Sequence, residues 1–154
     1  RKIGMTKFKV LAAVFAFLTI FIAGCSSKDV EIDINALADD LKNSVPFADT
    51  LEEPVNTAYE INEADLKGQK VYISTGATAE EIAVFEAVDK QAADRILKVV
   101  ESYIEYQIEE FEDYNPAEVK KLSDPVLVKK GRYVILCVSD DNAAAKACID
   151  KYVK

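Results

Sequence analysis

The sequence predicts an α+β fold: a mainly antiparallel four-stranded sheet with packed helices, its elements in the order α-β-β-α-β-β-α. Three observations carry that expectation. Two pairs of short β-patterned runs, each joined by a glycine-bearing turn, read as hairpins. Between them lies a long stretch whose apolar residues recur at helical spacing. Shorter amphipathic helix patterns flank both hairpins. Strands and helices of this kind bury their apolar faces best as helices laid on a single sheet.

Each element has its own justification. Asp33 can cap a first helix whose apolar face is Ile34, Leu37, Ala38, Leu41 and Val45, and Pro46 ends it because proline cannot continue a helix. From Phe47 to Gly68 the periodicity is weak, which predicts a loop with short helical turns. One such turn is expected over Asn62–Gly68, with Asn62 as cap and Gly68 as stop. Gln69 to Thr75 alternates as a strand, Gly76 to Ala79 is a turn, and Glu80 to Ala87 is the next strand, antiparallel to the first. The long helix runs from Lys90 to about Tyr114, with Ala93, Ile96, Leu97, Val100, Ile104, Ile108 and Phe111 on one broad stripe. Asn115-Pro116 ends or redirects it, and Ala117 to Leu122 is expected to form a further turn. A third strand over Val126–Lys129 turns at Lys130-Gly131 into a fourth over Tyr133–Ser139. The fourth is continuously apolar, as an interior strand buried on both faces would be. Asp140 or Asp141 then caps a last helix, Asn142 to Tyr152.

The N-terminal region carries an address. Met5, the only methionine, reads as the start. Lys7 and Lys9 precede an uncharged apolar run, Val10 to Ala23, which has the length of a secretory h-region and is short for a membrane span. Ile22-Ala23-Gly24-Cys25 resembles the bacterial lipoprotein box, an aliphatic residue and two small residues before a cysteine. The small residues let an extended backbone enter a peptidase cleft, cleavage falls after Gly24, and the Cys25 thiolate takes the lipid. Two or three acyl chains hold firmly where one is reversible. The expected organisation is a removed signal peptide over 1–24, a lipidated tether over 25–33, and one α+β domain over 34–154. The expected location is the extracytoplasmic face of a cell membrane.

Composition narrows the function classes. The chain has net charge −8. The removed segment would take away four cations and no acids, leaving about −12. Such a domain is repelled by an anionic bilayer and stands off on its tether. It also lacks the basic face that nucleic acid requires, so no nucleic-acid partner is expected. The absence of histidine removes the commonest general base, the Ser-His and Cys-His nucleophile systems, and most catalytic zinc sites. No cofactor is expected. Besides Cys25 there are Cys137, on a strand pattern, and Cys148, on the helix pattern after it. They read as two small buried hydrophobes, with a disulfide as the alternative open to an exported protein.

Several stretches resemble a known family: Gly76-Ala77-Thr78-Ala79-Glu80-Glu81-Ile82-Ala83-Val84-Phe85, Tyr106-Gln107, Phe111, Tyr114-Asn115-Pro116, and Gly131-Arg132-Tyr133-Val134 with Ser139-Asp140-Asp141. They are similar to small clostridial lipoproteins grouped as domain of unknown function 4358, over roughly Ile34 to Val153. The resemblance implies a Gram-positive envelope lipoprotein and supplies no catalytic residues.

Four constellations remain. Glu80-Glu81 and Asp140-Asp141-Asn142 lie near strand ends. Hard cations want several oxygens, but no EF-hand spacing is present. The expected reading is a helix cap at Asp140 or Asp141 and solvated edge charges at Glu80 or Glu81. Gly76–Ala79 lacks the glycine spacing and lysine of a phosphate loop and reads as a hairpin turn. Glu109-Glu110 and Glu112-Asp113 read as a solvated acidic face, with attraction of a basic partner as the alternative. Tyr103, Gln107, Phe111 and Tyr114 share one face of the long helix at 4-, 4- and 3-residue spacing. They are either the edge of the core or a candidate interaction surface, since tyrosines are frequent in interface hot spots. The expected function is a non-enzymatic envelope interaction or adaptor domain with an envelope protein as partner. The alternative is a small-ligand or cation-binding lipoprotein. An enzyme would need carboxylates such as Glu81 and Asp140 to converge in a pocket.

Overall fold

The computed structural model describes residues 29–47, the backbone of 50–52, and residues 58–154. The expected signal peptide, Gly24 and Cys25 lie outside the described residues. The fold is α+β. The expected strands form an antiparallel sheet from β2 (Leu66–Ser74), β3 (Glu81–Ala87), β4 (Val126–Lys130) and β5 (Tyr133–Val138). A short strand not foreseen from sequence, β1 (Thr50–Glu52), pairs with the outer edge of β2, so the order is β1-β2-β3-β5-β4. Three residues are too few to show an alternation, which is why periodicity gave no sign of it.

The helices are α1 (Ile34–Ser44), α2 (Lys90–Tyr114), the short α3 (Val119–Ser123) and α4 (Asn142–Asp150). Local sequence sets their ends. The Asp33 carboxylate accepts from the N–H groups of Asn35 and Ala36 at 3.1 and 3.0 Å, and Asp89 and Asp141 cap α2 and α4 in the same manner. Such caps satisfy donors that have no partner inside the helix. Pro116 opens a single 3-10 turn that leads directly into α3.

Period-two alternation divides the core in two. Val71, Ala83, Phe85, Ala87, Val134, Leu136 and Val138 pack with α2 and Leu122 of α3. Tyr72, Ile82, Val84, Val126, Ile135 and Cys137 pack with α1 and α4. The sheet is thus covered on both faces, and all six residues of β5 are buried, as its unbroken apolar run predicts. Cys137 and Cys148 are buried free thiols in the second core. Burial pushes the Cys137 thiol up to about 12.

Two expectations are corrected. Only Glu63–Asp65 of the stretch Asn62–Gly68 is helical, with Asn62 as its cap. The chain is already extended at Leu66 because Leu66 pairs with Ala87. Gly68, rather than stopping a helix, sits at a register shift where a Cβ would come within 3.0 Å of the Ile34 side chain. The second correction concerns Glu80 and Glu81, which are 8% and 4% exposed rather than solvated. β3 lies between β2 and β5, so its start is an interior position, not a sheet edge.

Candidate functional site

The β2–β3 connection forms one wall of a cleft. Its loop is held from several sides. The Ser74 hydroxyl donates to the Thr78 carbonyl, the Ser74 N–H to the Glu80 carbonyl at 3.1 Å, and the Ala79 N–H to Glu118 Oε2 at 2.8 Å. Asn115, just past α2, donates to the Ala77 carbonyl at 3.3 Å. Gly76 has φ +87°, a conformation that favours glycine because it has no Cβ to clash. The last turns of α2 form the opposite wall. Between them is a cleft of about 420 Å³.

All four residues of the candidate interaction surface, Tyr103, Gln107, Phe111 and Tyr114, line this cleft. Tyr106 and Glu110 lie along it too, Tyr106 being 55% and Tyr114 69% exposed. The helix face read from spacing alone is therefore one side of a cavity. Phe111 is buried with the core and stacks edge-on to Tyr114 at 6.2 Å between ring centroids. The row is core edge and cleft wall together.

Glu81 is a buried part of the lining, 4% exposed. Its carboxylate accepts from the Tyr59 hydroxyl at 2.5 Å and from the Tyr103 hydroxyl at 2.9 Å. The Tyr59 ring packs against Phe85 and Tyr103. Burial removes the water that would stabilise the Glu81 anion and lifts its carboxyl to about 7, although both phenols pull the other way. Burial and the facing carboxylate raise the two tyrosines above their ordinary value.

Glu80, which also lines the cleft, has a different environment. Lys121 Nζ lies 2.8 Å from its Oε1, 2.7 Å from Glu118 Oε2 and 3.6 Å from Asp140. Burial opposes ionisation of Glu80, but Lys121, Thr78 and a backbone hydrogen bond together outweigh it, and the carboxyl stays below its usual range. The acids at the ends of β3 and β5 are thus gathered around a lysine. Asp140 is beside Lys121 while Asp141 caps α4, and among the described residues no cluster of three or more His, Cys, Asp or Glu side chains is placed to hold a metal ion. Glu81 lines the cleft and Asp140 does not. The acidic run at Glu109, Glu110, Glu112 and Asp113 is exposed, as expected.

Sequence reasoning missed Tyr59, Glu118 and Lys121. Tyr59 sits in a region without periodicity, and the lysine triad joins residues 38 or more positions apart to an i,i+3 pair. Glu81 did carry a signal: alternation puts it on the same strand face as Ala83, Phe85 and Ala87.

No helix among the described residues is long and apolar enough to cross a membrane. No curated protein and no solved structure matches the chain. Residues 39–139 match a family model, a segment that contains the sheet from β1 to β5, the cleft and its lysine triad. On that match, the chain belongs to the family described as Domain of unknown function (DUF4358).

Proposed function

We propose that this is a non-catalytic, extracytoplasmic binding domain, of the clostridial lipoprotein type, held to a cell membrane by lipid on Cys25 after removal of a signal peptide. Its binding site is the cleft between the β2–β3 loop and the end of α2. One observation carries this reading: Tyr103, Gln107, Phe111 and Tyr114 meet Glu81 in a single cavity whose polar groups converge. Ligand sites are typically concave, mostly apolar and furnished with a few placed polar groups. A small ligand is favoured over a flat protein contact because Glu81, which lines the cleft, is buried.

Contact with an envelope protein is the second reading, and it rests on the exposure of Tyr106 and Tyr114 at the rim. The two are separated by placing a photoreactive phenylalanine analogue at Tyr114 in the intact protein and irradiating whole cells. A small-mass adduct supports the ligand reading. A protein-sized adduct supports the partner. An adduct yield no higher than that of the same analogue at exposed Lys146 would remove both.

A further inference from the structure

We propose that the ligand of this cleft is a small organic cation, an ammonium or guanidinium compound seated against Glu81. The inference rests on the cleft being a ligand site and adds the chemistry of the occupant.

Four carboxylates of the described residues are buried: Asp65, Glu80, Glu81 and Glu118. Three have a cation. Asp65 pairs with Arg95 at 2.7 Å, and Glu80 and Glu118 share Lys121. Glu81 has two phenol hydroxyls and, among the described residues, no Lys or Arg partner. A buried anion without a counter-charge is costly, so an empty cleft holds Glu81 largely as the neutral acid below neutrality. An occupant that brings its own positive charge supplies the missing partner.

The remaining lining fits the same chemistry. It contains no Lys or Arg. The rings of Tyr103, Tyr106 and Tyr114 offer negative π-faces to a cation, the Gln107 side-chain carbonyl is an acceptor, and Glu110 is an exposed anion at the mouth. Hard divalent ions want several oxygens in one shell, whereas of the two buried carboxyls lining the cleft Glu80 is already paired with Lys121, which leaves Glu81 among aromatic rings. About 420 Å³ suits a compact organic molecule.

Binding is an exchange. Protonated Glu81 loses its proton to solvent as the ammonium ion arrives, and the carboxylate–ammonium pair replaces the neutral acid. The titratable and charged groups around Glu81 are Tyr59 and Tyr103, which bond it, Tyr106 and Glu110 across the cleft, and the Glu80–Lys121–Glu118 triad behind the loop. Cation affinity should therefore rise with pH through about 7.

The test is calorimetry on the full lipidated chain in detergent, with cadaverine and tyramine as probes and pentanediol, glutarate and calcium as controls. The amines should bind, gaining about tenfold in affinity from roughly pH 6 to pH 8 and releasing protons to the buffer. Glu81→Gln should weaken binding and flatten that profile. Glu110→Lys, at an exposed position that folding tolerates, should weaken the amines about tenfold and leave pentanediol unaffected. Equal or tighter binding of pentanediol, glutarate or calcium overturns the cation assignment while leaving a ligand site. So does failure of both amines when photolabelling at Tyr114 gives a small-mass adduct. A protein-sized adduct alone removes the ligand reading itself, and the cation assignment with it.

Discussion

At the scale of single residues, Glu81 sets an expected pH dependence of stability. Its carboxyl is raised from the ordinary value near 4.5 to about 7 by burial under α2. The folded protein therefore holds a proton in that window which the unfolded chain has released. Stability contributed by the neutral acid is present below the unfolded value and is lost as pH rises through the folded one. A shift of this size corresponds to roughly 3 kcal/mol. Glu80 and Glu86 are depressed by Lys121 and by Lys67 with Arg132, so their contributions are complete above the ordinary carboxylate range and do not offset the loss. Thermal unfolding followed from pH 5 to pH 8 should show a falling midpoint in the native protein. In Glu81→Gln, whose amide keeps an oxygen for the tyrosines but cannot ionise, the curve should be flat. An unchanged slope in the variant would place the pH dependence elsewhere.

At the scale of elements, the short helix α3 shows how a five-residue segment is held. Helices of this length are not stable on their own. Leu122 anchors one side in the core, and Lys121 reaches Glu80 beside β3 and Glu118 in the preceding turn. The same Glu118 carboxylate accepts from the Ala79 N–H, so α3 and the cleft loop are tied through one buried network. Replacing Lys121 with Met fills the volume but strands two buried acids without a cation. Breaking a buried pair in this way typically costs about 3–5 kcal/mol. Urea unfolding of Lys121→Met should show a loss of that order. The triple variant Lys121→Met, Glu80→Gln, Glu118→Gln should recover much of it, because no charge is left unpaired. A loss in the single variant below about 1 kcal/mol would mean that water reaches the triad.

At the scale of the whole molecule, the entry of the chain and the cleft lie toward opposite ends of the sheet. The chain reaches the domain at the β4–β5 end. Glu31 pairs with Arg132 at 2.6 Å, and the Ile32 N–H donates to the Tyr133 hydroxyl at 3.2 Å. Tyr133 is paired with Glu86 at one end of β3, and the cleft is at Glu81 near the other. Five residues of strand separate these points by about 17 Å. Cys25 lies four residues before Asp29 in the sequence. A lipid on Cys25 would hold the near end close to the bilayer and present the cleft outward, and the acidic surface would oppose collapse onto anionic lipid. Cys25→Ala should release the protein from membranes and remove sensitivity of its processing to a lipoprotein signal peptidase inhibitor. A variant still cleaved at the same bond and retained in membranes would exclude the lipid anchor.

The pattern of residues along the chain was enough to foresee both hairpins, the long amphipathic helix, the caps at Asp33 and Asn62 and the interior character of β5. Each of these is written in near neighbours, through a period of two or 3.6 residues or a cap two or three positions from its donor. The same local periodicity put Tyr103, Gln107, Phe111 and Tyr114 on one helix face. What they face is not a local property. Only the tertiary structure brings the β2–β3 loop against the end of α2, sets Tyr59 over Glu81 and carries Lys121 to Glu80, across separations of 22 and 41 residues. A carboxylate is solvated or buried, paired or unpaired, according to what packs over it. The acidity of Glu81 and the cleft it serves were therefore decided by the packing of α2 on the sheet.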